Sequence, residues 1–365
     1  MNAQIKHAME FPGLSHHAFQ HPLDSQALAV LKNVPALPTV IKFLSEKTTE
    51  RFHHARRMSQ SLRVNAQQYP SLYKKYVRLA QVLDVRQLPS LFIENKPVIN
   101  AYAMGMENYS IVLASGLVDA MEDEEVLAIL GHELGHVKCD HMLYNSMAHQ
   151  LSAFGSMGAS FLSEIPFLGK AISGGLGLAL YEWSRKAELS CDRAALLATQ
   201  DVGAVASALA KLAGYSKRYA HEMSLDAVDQ QAVEHEAMGE SSMLVNLVML
   251  AELLETTHPH PVVRVREIRR YAASSEYARI LGGDYRRDQE RLANGSWSGV
   301  RPSTSRFKRC TNAKCGYPCD EGFAFCPNCQ TNIREAELAC TACTLSVEPA
   351  WLHCLNCGVG LKASQ

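Results

Sequence analysis

The chain has 365 residues, 47% of them hydrophobic, and its 36 lysines and arginines nearly balance 37 acidic residues, for a formal net charge of -1. That length carries one sizeable core and a small appendage. The charge balance excludes a global electrostatic drive toward nucleic acid or an anionic membrane surface. The start, MNAQIKHAMEFPGLSHHAF, lacks the charged, apolar and small-residue layout of a secretory signal or an anchor helix. Nine of the 11 cysteines fall between 310 and 357, several as Cys-x-x-Cys, which reads as metal knuckles in a reducing, cytoplasmic setting.

In chain order, residues 1–24 read as an irregular segment rich in His and Pro. From 25 to about 85, PALPTVIKFLSEKTTERFHHARRMSQSLRV and YPSLYKKYVRLAQVLDV place apolar residues at three-to-four spacing, which predicts helices. SLFIEN at 90–95, PVINAYAM at 97–104 and YSIVLAS at 109–115 are short and β-branched or aromatic, and predict a small sheet. GLVDAMEDEEVLAILGHELGHVKCDH then predicts a helix with an acidic start and an apolar stripe of Val126, Ile129, Leu130, Leu134 and Val137.

Between 143 and 181 the only Asp, Glu, Lys or Arg are Glu164 and Lys170. The run Leu151–Leu162 is too short to span about 30 Å as a helix, and Ile165–Tyr181 is interrupted by Pro166, Lys170 and several glycines. A buried or interfacial helical hairpin is expected, with peripheral membrane contact through 151–181, or a lid over the site, as alternatives. Helices continue to about 280, and ANGSWSGVRPSTS reads as linker. The expected organisation is a main domain at 25–280, a linker at 281–306 and a small module at 307–365.

The chemistry concentrates in His132-Glu133-Leu134-Gly135-His136, an H-E-x-x-H motif. On a helix, positions four apart lie on one face, so both imidazoles can reach one Zn²⁺ at about 2.0–2.1 Å. Glu133, beside the first ligand, is placed to take a proton from the attacking water and pass it to the leaving amine. Composition alone would produce such a motif roughly 0.06 times per chain, so its context has to decide.

A catalytic zinc takes three protein ligands and keeps one position open. The metzincin pattern fails, because Cys139 and Met142 stand where it needs Gly and His. His141, five residues after His136, faces away from the pair if the helix continues. Glu188, in the helical stretch WSRKAELSCDRAALLA, is the better third ligand. Arg185 and Asp192 lie one turn to either side of it on the same face. Asp192 can accept the remaining N–H of a ligand imidazole and fix its tautomer. Cys139 and Cys191, near these motifs, read either as thiol switches or inhibitory ligands or as small buried side chains, the commoner case.

GHELGHVKCDH followed by SRKAELSCD resembles the HtpX-type and CAAX-prenyl-protease-type zinc metallopeptidases, which are gluzincins. PVINAYAMGMENYSIVLASGLVDAM and THPHPVVRVREI resemble two further family segments, and the likeness spans roughly residues 65–273. It implies an α+β fold, a mainly helical gluzincin-like domain with a small sheet. It also implies that Val98–Met104 is an edge strand pairing with extended substrate, with Asn100 and Ala101 as substrate-binding residues. His258, which matches the family's His before Pro, would donate to the oxyanion of the tetrahedral intermediate, and Arg264 would be structural. The membrane helices that begin HtpX-type members have no counterpart in these residues, and the C-terminal cysteines are an addition.

Those cysteines form an internal repeat. The intervals 315→343, 326→354 and 329→357 are all 28 residues. Cys315 thus corresponds to Cys343, making Cys310 its knuckle partner and leaving Cys319 spare. Two sites result, Cys310, Cys315, Cys326 and Cys329, then Cys340, Cys343, Cys354 and Cys357, resembling a double zinc ribbon. Closed Cys₄ sites are structural, and metal supplies folding energy that so small a core lacks. The repeat is not basic, which points to a protein partner rather than nucleic acid.

The expected function is a zinc metalloendopeptidase acting on protein or peptide substrates, with one catalytic and two structural zinc ions. A role in protein quality control is implied by the resemblance alone. Because the imidazoles must be neutral to bind metal, activity is expected to fall below about pH 6. The rival is a non-catalytic zinc-binding adaptor that docks partners through the ribbons.

Overall fold

The computed structural model describes residues 8–35, 37, 40, 49–85, 87–105, 109–147, 176–241 and 260–288, plus four two-residue strands beyond residue 300. The chain forms two compact units, 1–300 and 301–365. The first is α+β and mostly helical. Its elements run α1 (Pro22–Lys32), α2 (Thr49–Gln60), β1 (Ser61–Val64), α3 (Pro70–Val82), β2 (Ser90–Glu94), β3 (Ala101–Met104), β4 (Ser110–Ala114), α4 (Ser115–Ala120) and α5 (Asp123–Lys138). α6 (Gly177–Thr199), α7 (Val202–Ala213), α8 (Leu225–Ser241), α9 (Pro261–Ala272) and α10 (Ser275–Leu281) follow.

The sheet order is β1-β2-β4-β3, with β2 and β4 parallel and the outer pairs antiparallel. β3 therefore lies at an edge, as the resemblance implied. β1 corrects the expectation that helix continued through SLRV. These four residues pair with β2, but with Leu62 exposed and Val64 buried on the same strand face they carry no period-two alternation to set against the preceding helical pattern. Residues 97–100, expected to be strand, precede β3 instead. Here Gly116 explains the Ser-Gly-Leu segment: a Cβ on it would stand 2.7 Å from Pro97 C and Val98 N, so glycine lets the approach to β3 lie against the start of α4.

α5 is the central element. Glu125 accepts a hydrogen bond from Glu122 N at 2.7 Å, and three acidic residues occupy the first turn, which suits the positive end of the helix dipole. Every residue from Glu125 to Lys138 is buried, so the apolar stripe read from the sequence belongs to a helix enclosed on all sides. It packs most extensively against α6, and also against α3, α7 and β3. α6 and α5 approach closely because Gly135 has no side chain: a Cβ there would lie 2.8 Å from Ala194 Cβ and 2.9 Å from Cys191 Cα. α5 ends at Lys138, and Asp140 turns left-handed at φ 57°, which redirects the chain.

The N-terminal segment is integral to this core. Phe11, Leu14 and Phe19 are fully buried, and Phe11 N donates to Val82 O at 3.0 Å. Leu14 bridges Arg287, and Asp288 N donates to Gly13 O at 3.0 Å. The first unit thus extends beyond residue 280, where the linker was expected to begin, and the segment 1–24 is packed from Ala8 onward. A second apolar cluster joins α1 to the first half of α6 through Leu31, Leu180 and Trp183. Among the described residues no helix is long and apolar enough to cross a membrane.

In the second unit, Lys308–Arg309 pairs antiparallel with Pro318–Cys319, and Leu338–Ala339 with Ser346–Val347. The eight cysteines assigned to the two ribbons, the segment 148–175 and His258 lie outside the described residues.

Candidate active site

His132 and His136 project from one face of α5, their ring centroids 5.0 Å apart. Opposite them, α6 presents Glu188. Its Oε2 lies 3.3 Å from His132 Nε2 and its Oε1 3.3 Å from His136 Nε2. The two histidines, Glu133 and Glu188 are each at most 4% exposed. The three side chains that the sequence proposed as a donor set therefore converge. Donors placed 2.0–2.1 Å from a tetrahedral zinc are about 3.3–3.4 Å from one another, and each Nε2 stands that far from one of the two Glu188 oxygens.

The outer nitrogens are held. His132 Nδ1 lies 2.9 Å from Asp192 Oδ1, so its N–H donates to that carboxylate and leaves Nε2, toward Glu188, as the nitrogen whose lone pair a metal would take. His136 Nδ1 lies 3.1 Å from the Asn145 amide and 3.4 Å from His141 Nδ1. His141 reaches that position because the turn at Asp140 ends the helix, whereas a continuing helix would have turned it away. It touches the back of His136 rather than the face bearing Nε2.

Arg264, on α9, completes the electrostatics. Its Nε donates to Asp192 Oδ2 at 2.8 Å, its Nη2 to Asp192 Oδ1 at 2.7 Å, and its Nη1 pairs with Glu188 Oε2 at 2.9 Å. This arginine, not Arg185, is the cation joined to both carboxylates. Arg185 shares their helix but binds Glu182 at 3.0 Å and His260 Nε2 at 3.2 Å. Helical spacing suggested Arg185. The bidentate contact of Arg264 depends on α9 packing against α6, which local spacing does not encode.

Burial disfavours charge on His132, but Glu188 and Asp192 outweigh it and raise its pKa to about 9. Burial dominates at His136 and lowers its pKa to about 3. Without metal, one proton thus sits between the two carboxylates on His132. Burial would raise the Asp192 pKa, but Arg264 and His132 hold it below its usual value. Burial also raises the thiol pKa of both Cys139 and Cys191 well above normal, the state of inert buried cysteines.

A second donor set is present: His132, His136 and Cys191 have ligand atoms within 4.8 Å of one another. Glu188 fits better, since its two oxygens face the Nε2 atoms. Cys191 Sγ makes its contact with His141 Nδ1, at 3.6 Å, and burial keeps it a thiol, whereas zinc binds the thiolate. Asn100 and Ala101 lie at the edge of the sheet, where Asn100 O accepts from Ala114 N at 3.0 Å and Ala101 pairs with Leu113.

A family model, Peptidase family M48, matches residues 66–272. The chain belongs to peptidase family M48. It is 34% identical over 273 residues to the plastoglobule-localized metallopeptidase 48 of Arabidopsis thaliana, covering 74% of this chain and 77% of the relative. It is 28% identical over 179 residues to a protease HtpX homolog of Moorella thermoacetica, and 30% identical over 182 residues to protease HtpX homolog 2 of Methanosarcina mazei. Those two alignments cover 42% of this chain and 58% and 59% of the relatives. This M48 protein is an HtpX-type zinc metallopeptidase, and the motifs quoted from its sequence lie within the matched span. The family assignment gives the His132, Glu133, His136 and Glu188 cluster its chemical context.

Proposed function

We propose that this M48 peptidase is an endopeptidase in which His132 Nε2, His136 Nε2 and a Glu188 oxygen hold the catalytic zinc and Glu133 is the general base. The observation that carries this reading is the pair of 3.3 Å separations between the Glu188 carboxylate and the two Nε2 atoms. Bound there, zinc would polarise the scissile carbonyl and bring the pKa of a water toward 7. Glu133, beside His132 on α5 and buried, takes the proton of the attacking water and returns it to the leaving amine. Asp192 holds the His132 ring, and Arg264 holds Asp192 ionised in a buried site and pairs with Glu188.

The edge strand β3 receives substrate as an added strand through backbone groups, with Asn100 and Ala101 at its start. Main-chain pairing reads no particular side chain, which suits cleavage of unfolded or damaged proteins and a role in protein quality control. His258 donates to the oxyanion. The ribbon cysteines bind two further, structural zinc ions and dock a protein partner. The protein works in the cytoplasm, with peripheral membrane contact through 151–181.

The test compares wild type and Glu133→Gln on casein and on a quenched peptide. Loss of a general base lowers the rate about 10²–10⁴-fold, while zinc content stays unchanged. Equal cleavage by both proteins would refute the assignment.

A further inference from the structure

Asp24 is a fully buried carboxylate in the first turn of α1, and none of the chemistry above uses it. Its Oδ1 accepts from Trp183 Nε1 at 3.1 Å, and its Oδ2 accepts from Ser190 Oγ at 2.6 Å and from His141 Nε2 at 3.2 Å. An ionised carboxylate only accepts, so the His141 proton lies on Nε2. In a neutral imidazole the other nitrogen, Nδ1, then carries the lone pair. That lone pair faces His136 Nδ1 at 3.4 Å, so His136 donates to it and keeps its own lone pair on Nε2, toward Glu188. The Asn145 amide nitrogen stands 3.1 Å from His136 Nδ1; this tautomer requires the flipped amide, whose oxygen then accepts from the same N–H. His141 is held edge-on to Trp183, with ring centroids 5.3 Å apart and planes at 87°.

We propose that Asp24 is a positioning residue for the metal site, acting through His141 to fix the tautomer and orientation of His136. The inference rests on the reading of His136 as a zinc ligand. Each histidine is then backed by a carboxylate: His132 directly by Asp192, and His136 by Asp24 through one intervening ring. A carboxylate behind a metal-binding histidine fixes its donor nitrogen and raises its basicity, and removing such a partner costs about 10–100-fold in metal affinity. The arrangement also gives the N-terminal segment a role in function, since α1 brings the distant carboxylate to the back of the site.

The test uses the full chain with its C-terminal cysteine sites already filled. Zinc affinity of the histidine site is measured by chelator competition for wild type, Asp24→Asn, His141→Phe and Ser190→Ala. Asp24→Asn and His141→Phe are expected to weaken binding about 10–100-fold. Ser190→Ala removes a hydrogen bond to the same carboxylate without touching His141, and is expected to change affinity less than about threefold. In ¹⁵N-labelled, zinc-loaded protein the His136 Nδ1–H resonance should shift in the first two variants and stay in the third. An unchanged affinity in whichever of Asp24→Asn and His141→Phe folds overturns the proposal, and so does an equal loss in Ser190→Ala, the mark of a merely structural carboxylate. His136→Ala reads the ligand assignment separately. Retention of the histidine-site zinc in that variant sinks the assignment itself, whereas its loss beside an unaffected Asp24→Asn sinks only the relay.

Discussion

Acidifying the metal-free protein keeps a proton on His132 that zinc must displace, and the structure sets the size of that competition. The Glu188 and Asp192 carboxylates raise the His132 pKa to about 9, against burial, whereas burial lowers that of His136 to about 3. At pH 7 only about 1% of molecules would therefore present a neutral His132, and zinc affinity would lie about 100-fold, or about 3 kcal/mol, below its plateau. The sign follows from the raised pKa. The proton is bound below about pH 9, so affinity climbs about tenfold per pH unit from 6 upward and levels off near 9. His136 adds nothing to this slope, because it is already neutral. Chelator competition across that range, with the cysteine sites filled, gives the slope. Calorimetry in buffers of different ionisation enthalpy counts the protons, and about one per zinc is expected at pH 6, below the ionisation of a zinc-bound water. Asp192→Asn removes one of the two carboxylates and should move the break to lower pH. A flat affinity between pH 6 and 9, or release of two protons at pH 6, would refute the reasoning.

Replacing Arg264 with Met leaves Glu188 and Asp192 buried without their shared cation. That costs about 3–5 kcal/mol, so the metal-free melting temperature should fall by roughly 6–10 °C, and a change under about 2 °C would contradict the role given to this arginine. Gly135→Val forces α5 and α6 apart where a Cβ already meets Ala194 and Cys191. A destabilisation of about 1–3 kcal/mol or more, together with weaker zinc binding, is expected in thermal melts and metal titrations. Metal analysis should give about three zinc ions for the full chain and about one for residues 1–300; equal content in both would remove the ribbon assignment.

The parts of the site legible in the sequence are those set by helical spacing. His132 and His136 four residues apart, and Glu188 and Asp192 four residues apart, share faces by backbone geometry alone, and the structure brings the two pairs together. The same logic misassigned the cation, because Arg185 has the right spacing while Arg264 has the right tertiary position. It also turned His141 away, since nothing in the periodicity marks the left-handed turn at Asp140. Asp24 was invisible for a related reason: apart from Gln20, its partners come from α6 and from the turn after α5, remote in sequence. In the fold, α3, α5 and three of the four sheet strands were legible from period and residue type. The fourth strand, Ser61–Val64, was absorbed into the helical pattern before it. The packing of Phe11, Leu14 and Phe19 escaped notice because irregular backbone carries no period, although their apolar bulk drives them inward all the same.

Anomalous diffraction at the zinc edge from crystals of the zinc-loaded protein measures the central claim most directly. One peak should lie about 2.0–2.2 Å from His132 Nε2, His136 Nε2 and a Glu188 oxygen. A peak bonded to Cys191 Sγ with Glu188 outside its coordination shell, or no peak between the two histidines, would contradict the account.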